Sequence, residues 1–172
     1  MTTANQTTAN LDDKVTKLRE LVKEIDFCML TTIAESGSLH SRPMSLNGEI
    51  EANGDLWFFT YADTAKVTEV DRAEQVNVSF SDPAKQRYVS MSGTAHTIRD
   101  RAKMQELWKP ELKAWFPKEL DEPEIALLKV TVETAEYWDA PASWVAKTIG
   151  FIKAATTGQS AKSGENAKLN LK

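Results

Sequence analysis

The chain has one cysteine, two histidines and no long apolar run in its 172 residues. A lone cysteine, Cys28, excludes an internal disulfide. Its setting, IDFCMLTTI, is that of a small buried hydrophobe, with a catalytic thiol as the alternative. His40 and His96 lie far apart with no cysteine or acidic cluster beside them, so no zinc site is expected. No segment approaches the roughly 20 apolar residues of a membrane span. The polar stretch 1–10 lacks the basic and apolar regions of a secretory leader. A cytoplasmic protein with no membrane partner is the expectation. The net charge of −4 carries no basic excess, which argues against nucleic acid. The Walker phosphate loop, the dinucleotide Gly-x-Gly-x-x-Gly and the Gly-x-Ser-x-Gly elbow are all missing. A phosphorylated ligand would therefore have to be held by side chains and a rim, not by a glycine loop.

What is present is an ordinary globular balance, 41% hydrophobic and 27% charged, at a length that suits one domain with a real core. Three regions are expected: a flexible N-terminus over 1–10, a folded domain over 11–155 and a flexible tail over 156–172. Leu11, Val15, Leu18, Leu21, Val22 and Ile25 recur at helical spacing, predicting an amphipathic helix over 11–25. Strands are predicted over 27–34 and 38–46, joined at Ser36-Gly37, and over 56–61, after the Asn53-Gly54-Asp55 turn. Pro43 gives up a ladder donor and so points to an edge, a bulge or a barrel rim. A short helix over 64–72, capped by Asp63 or Thr64, precedes strands over 75–81 and 86–98. Gly93, inside the last of these, suggests a bulge or sharp bend. Asp100 caps a helix over 101–108. A final strand spans 124–138, with Val130, Val132 and Thr134 on one face, and a helix is predicted over 143–155. Six strands in hairpin order, without regular crossover helices, predict a closed or nearly closed antiparallel barrel with peripheral helices.

Three segments concentrate the chemistry: Ser41-Arg42-Pro43-Met44-Ser45; Phe58-Phe59-Thr60-Tyr61 with Lys66 six residues past the threonine; and Tyr88-Val89-Ser90-Met91-Ser92-Gly93-Thr94-Ala95. Tyr137-Trp138-Asp139 closes the last strand. In this order and spacing they resemble the pyridoxamine-phosphate-oxidase-like FMN-binding split barrels, most closely their general-stress-protein branch. The resemblance implies a mainly β, six-stranded antiparallel split barrel binding FMN, with FAD as the alternative, at a homodimer interface. The cofactor-binding residues it implies are Arg42, Pro43, Met44, Ser45, Phe59, Thr60, Tyr61, Thr64 and Lys66 from one chain, and Tyr88, Ser90 and Trp138 from the partner.

The residues themselves support that reading. A buried phosphate needs charge-assisted partners. Arg42 offers a planar fork and Lys66 a point charge in the first turn of a helix, where free N–H groups also point outward. Thr60 and Thr64 supply hydroxyls. Backbone groups of Met44 and Ser45 can meet the polar edge of a flat ring that Phe59 and Tyr61 bracket. Read singly, Arg42 is a surface ion-pair residue, Lys66 a solvated helix residue, Thr64 a cap, and Trp108, Trp115, Trp138 and Trp144 packing or interface anchors. The chain also departs from the oxidases. Ala65 stands where they often carry a basic residue, and no basic substrate motif follows Trp138, which argues against pyridoxamine phosphate oxidation. Two functions stay open: an FMN-dependent oxidoreductase of unknown substrate, for which no catalytic residue is named, and a non-catalytic flavin sensor or store in a stress response.

Overall fold

A computed structural model describes residues 3–139 and 165–172. The order is α1 (Thr3–Val22), β1 (Phe27–Ile33), β2 (Leu39–Ser45), β3 (Asp55–Tyr61), α2 (Ala65–Arg72), β4 (Gln75–Asp82), β5 (Arg87–Ile98), α3 (Arg101–Leu107), two 3₁₀ turns (Pro110–Ala114 and Glu119–Asp121), β6 (Ile125–Asp139) and β7 (Glu165–Asn170). The helix expected over 143–155, with Trp144, lies outside the described residues. Among the described residues no helix is long and apolar enough to cross a membrane.

All strand pairs are antiparallel, in the order β2-β1-β4-β5-β6-β3. This is the six-stranded barrel the hairpin order predicts. Its ends, β2 and β3, do not pair along their length. The backbone N–H of Asn47, just past β2, donates to the carbonyl of Trp57 at 2.9 Å and links the two ends. The barrel is thus split along one seam.

Two elements near the termini differ from those expected. No proline or glycine interrupts the chain before Gly37, and α1, expected over 11–25, runs from Thr3 and stops at Val22, short of Ile25. In the tail, Ala167, Leu169 and Leu171 alternate with polar residues. Residues Glu165–Asn170 accordingly form a seventh strand on the second half of β6 and lay those side chains on the core.

β6 needs two partners on one edge because it is 15 residues long: β3 covers Ile125–Thr131 and β7 covers Thr134–Asp139. Between them sits a bulge. Gly93 faces Val132 and Ser92 faces Thr134, leaving Glu133 as the extra residue. The bulge reverses the inward phase, so Leu128, Val130 and Val132 give way to Ala135 and Tyr137 in the core. Thr134, expected on one face with Val130 and Val132, therefore lies on the opposite face from them.

The barrel interior is filled by Leu30, Leu56, Phe58, Val78, Phe80, Met91 and Val130, closed on one side by Val15, Leu18, Leu21 and Val22 of α1. A second cluster, Trp57, Phe59, Met104, Leu112, Phe116, Ile125 and Leu127, lies under α3 and the 3₁₀ turns. β3 serves both, with Leu56 and Phe58 inward and Trp57 and Phe59 outward, so all of its residues but Tyr61 are buried.

Gly93 is the point of closest approach at the bulge. A Cβ built on it would stand 2.0 Å from the backbone oxygen of Thr131. Backbone cannot give way as a flexible side chain can. Gly93→Ala should therefore cost at least ~2 kcal/mol of stability, read as a lower urea midpoint at unchanged m.

Candidate functional site

The register places Thr32 opposite His40 and Leu30 opposite Arg42. Side chains of directly opposed residues share a face, so Thr32, His40 and Arg42 all point to one side of the hairpin. The helix α2 packs over that side and sends Glu69 into it. Glu69 accepts hydrogen bonds from the Thr32 hydroxyl at 2.5 Å and from Arg42 Nη2 at 2.8 Å, and its other oxygen lies 2.8 Å from His40 Nδ1. Arg42 Nη1 also donates to Thr32 Oγ1 at 2.5 Å. Glu69 is 8% exposed, so this is a buried carboxylate satisfied from three sides. Neither Glu69 nor Thr32 stands out in the sequence. An acid three residues past Lys66 on a short helix reads as solvent-facing, and only the pattern of Val67 and Val70 around it hints at burial.

Burial pushes the Glu69 carboxyl up. The hydrogen bonds from Thr32, His40 and Arg42 and the Arg42 charge outweigh it and hold the group at about 2, against an ordinary 4.5. A carboxyl lowered on folding adds stability above its unfolded pKa, and that stability is lost as pH falls from about 4.5 towards about 2.

One turn earlier on α2, Lys66 faces the seam. Its ammonium donates to Thr60 Oγ1 at 3.0 Å and Thr64 Oγ1 at 3.2 Å, hydroxyls and not carboxylates. Burial lowers its pKa, the nearby Arg42 lowers it further, and Asp63 opposes both. The two cations singled out in the sequence therefore sense each other, but their circumstances differ: Arg42 is held by Glu69, whereas among the described residues Lys66 is held by hydroxyls alone. Thr64 occupies the cap position of α2, yet its side chain makes no cap bond and instead donates to the Tyr61 carbonyl at 2.8 Å. The expected side-chain cap is thus absent, because the hydroxyl is turned back towards β3. Among the described residues no side chain caps the first N–H groups of α2.

A cleft of about 300 Å³ opens along the seam. Phe27, Pro43, Met44, Ser45 and Asn47 form one wall, Phe59, Thr60, Tyr61 and Lys66 the floor, and Leu112, Trp115 and Phe116 the other wall. It has a polar end at Thr60 and Lys66 and an aromatic end. There Phe59 and Tyr61 pack on Phe116 with ring centroids 5.9 and 4.9 Å apart, and Trp108 stands edge-on to Phe59 at 5.5 Å. Seven of the candidate residues thus line one cleft: Pro43, Met44, Ser45, Phe59, Thr60, Tyr61 and Lys66. Arg42 and Thr64 lie beside it, and neither is part of its wall. Tyr88, Ser90 and Trp138 are elsewhere, on the outer face of the sheet. Tyr88 pairs with Trp138 across β5 and β6, and Ser90 Oγ accepts from Asn77 Nδ2 at 2.8 Å.

Of the remaining candidates, Cys28 is buried, and burial pushes its thiol up to about 12, which leaves it neutral and unreactive. His96 lies 3.8 Å from Glu74 on the surface. Among the described residues no group of three or more His, Cys, Asp or Glu could hold a metal.

The sequence model of the family described as pyridoxamine 5'-phosphate oxidase like matches residues 13–162. The chain belongs to this family. A 160-residue stretch is 29% identical to the protein bli-3 of Neurospora crassa, covering 88% of this chain and 77% of that protein. Among solved structures, the general stress FMN/FAD binding protein of Xanthomonas citri superposes with a TM-score of 0.62 at 30% identity, covering 72% of this chain and 86% of that one. A protein related to general stress protein 26 from Clostridium acetobutylicum gives a TM-score of 0.66 at 23% identity, over 74% and 89% of the two chains. Within the family the chain falls in the general-stress-protein branch, with the split-barrel fold.

The Glu69 network makes an acid-range prediction. Wild type should exceed Glu69→Gln in stability by about 2 kcal/mol at pH 6, and most of that margin should be gone at pH 2. Urea unfolding of both proteins across this range checks it, and a margin that does not change with pH would contradict it.

Proposed function

We propose that the seam cleft binds FMN, with the phosphate at Lys66 and the ring in the aromatic end. The observation that carries this is Lys66 itself: a half-buried ammonium whose partners are two hydroxyls, beside the uncapped start of α2. A dianion can recruit the ammonium, both hydroxyls and the helix N–H groups without displacing a carboxylate. Arg42 adds its charge from behind, fixed by Glu69. Met44 and Ser45 border the ring, and Phe59 and Tyr61 lie beneath it. The relative from Xanthomonas citri, a general stress FMN/FAD binding protein, supports the reading.

The outer face of the sheet supports a homodimer. Phe27, Met29, Leu39, Tyr88 and Trp138 are all substantially exposed. Phe27 belongs both to this surface and to the cleft wall. A two-fold contact on this face would cover the exposed rings and bring Tyr88, Ser90 and Trp138 of the partner subunit towards the open side of the cleft.

Bound flavin would supply hydride acceptance from a reduced nicotinamide, and the activity we propose is that of a flavin-dependent oxidoreductase. Of the described residues lining the cleft, only Lys66 and Tyr61 titrate. Burial, then Glu122 and Asp63, holds the Tyr61 hydroxyl protonated. Hydride transfer asks for orientation more than for a protein acid or base. The same scarcity of titrating groups favours a second reading, a flavin sensor or store that does not turn over.

Removing the ammonium separates phosphate recognition from ring recognition. Lys66→Ala should weaken FMN by roughly 10- to 100-fold, the worth of a charge-assisted hydrogen bond, and move riboflavin by less than about threefold. Equal losses for both flavins in a fluorescence titration would show that the phosphate lies elsewhere. Sedimentation of the loaded protein should give the mass of two chains. On anaerobic mixing with NADH or NADPH the flavin absorbance should bleach; an unbleached flavin with both would leave the store as the surviving reading.

A further inference from the structure

The 3₁₀ turn Pro110–Ala114 and the two residues after it are pinned from three points. Leu112 and Phe116 are buried in the second core cluster, and the Tyr61 hydroxyl donates to the carbonyl of Trp115 at 2.9 Å. The backbone of Trp115 is thereby fixed. Its indole is not: it is 57% exposed, it belongs to neither core cluster, and it lines the seam cleft. The packing role its type suggests in the sequence is taken by its neighbour Phe116. A large apolar ring held in water on a rigid backbone, at the mouth of a cleft already walled by Phe59, Tyr61 and Phe116, is an incomplete stack.

We propose that Trp115 is the ring-recognition residue of this cleft, stacking on a flat heteroaromatic ligand independently of whether that ligand carries a phosphate. This rests on the reading of the cleft as a flavin site and divides that site in two. The Lys66 end recognises charge, and the Trp115 end recognises the plane of the ring. Tyr61, beneath the ring, also positions Trp115 through its backbone carbonyl. The division predicts a selectivity the cationic end alone cannot give: an uncharged flavin ring with no ribityl phosphate still binds.

The test titrates FMN, riboflavin and lumiflavin into wild type, Trp115→Ala, Trp115→Phe and Lys66→Ala, with the thermal midpoint measured on each. Trp115→Ala removes an exposed side chain and leaves the Tyr61–carbonyl bond in place, so its midpoint should match wild type. It should weaken all three ligands by a common factor of roughly ten, the usual worth of one aromatic stack. Trp115→Phe should restore most of the loss, and Lys66→Ala should weaken FMN alone. Indole emission gives a second readout: FMN should quench wild type more than Trp115→Phe. Lumiflavin bound as tightly by Trp115→Ala as by wild type would overturn the proposal, as would a variant that binds normally and only loses its dimer. Wild type that binds none of the three would instead defeat the flavin reading on which the proposal rests.

Discussion

One buried carboxylate organises the site. Glu69 reaches from α2 into the end of the barrel and is met by Thr32 from β1 and by His40 and Arg42 from β2. Breaking such a network by removing one partner leaves a buried charge uncompensated, which costs more than the network itself contributes. Its value is therefore geometric. It fixes the rotation of α2 against the hairpin, and that rotation brings Lys66, one turn earlier, to the seam with Thr60 and Thr64. It also divides the labour of the two cations. Arg42 is committed to structure and contributes its field. Lys66, bonded to two hydroxyls, is the cation we propose for the ligand.

The seam lies where the strand path ends, between β2 and β3. With β3 on its first half and β7 on its second, β6 carries two short strands on one edge, and the Gly93–Glu133 bulge reverses its phase between them. β3 then ends the path with no full partner in β2. Among the described residues one backbone bond, from Asn47 to Trp57, links the edges, and the gap beside it is the cleft. Because β3 is buried on both faces, the second cluster can build an aromatic wall outside the barrel proper. The fold thus produces one lined slot with a cationic end and an aromatic end.

Much of this was legible in the residues. The apolar stripe of α1 and the alternation of β1, β4 and β5 follow from periodicity. The break at Gly93 follows from a glycine inside an otherwise regular strand. Adjacent Phe58 and Phe59 had to face opposite ways, and they do. What was not legible depended on long-range partners. A polar tail gives little sign that Ala167, Leu169 and Leu171 will find an unpaired edge of β6. An acid on a short helix gives no sign that a threonine, a histidine and an arginine wait beneath it. Nor does the type of Trp115 reveal that Phe116 will take the core position and leave the indole outside.

The ammonium of Lys66, on the function we propose, faces the phosphate of a flavin lying along the seam. A crystal structure of the protein with FMN tests it most directly. The account predicts phosphate oxygens at about 3 Å from Lys66 Nζ and within reach of the Thr60 and Thr64 hydroxyls, with Glu69 still bonded to Arg42. A flavin bound with its phosphate away from Lys66, or seated on a surface other than the seam, would contradict it.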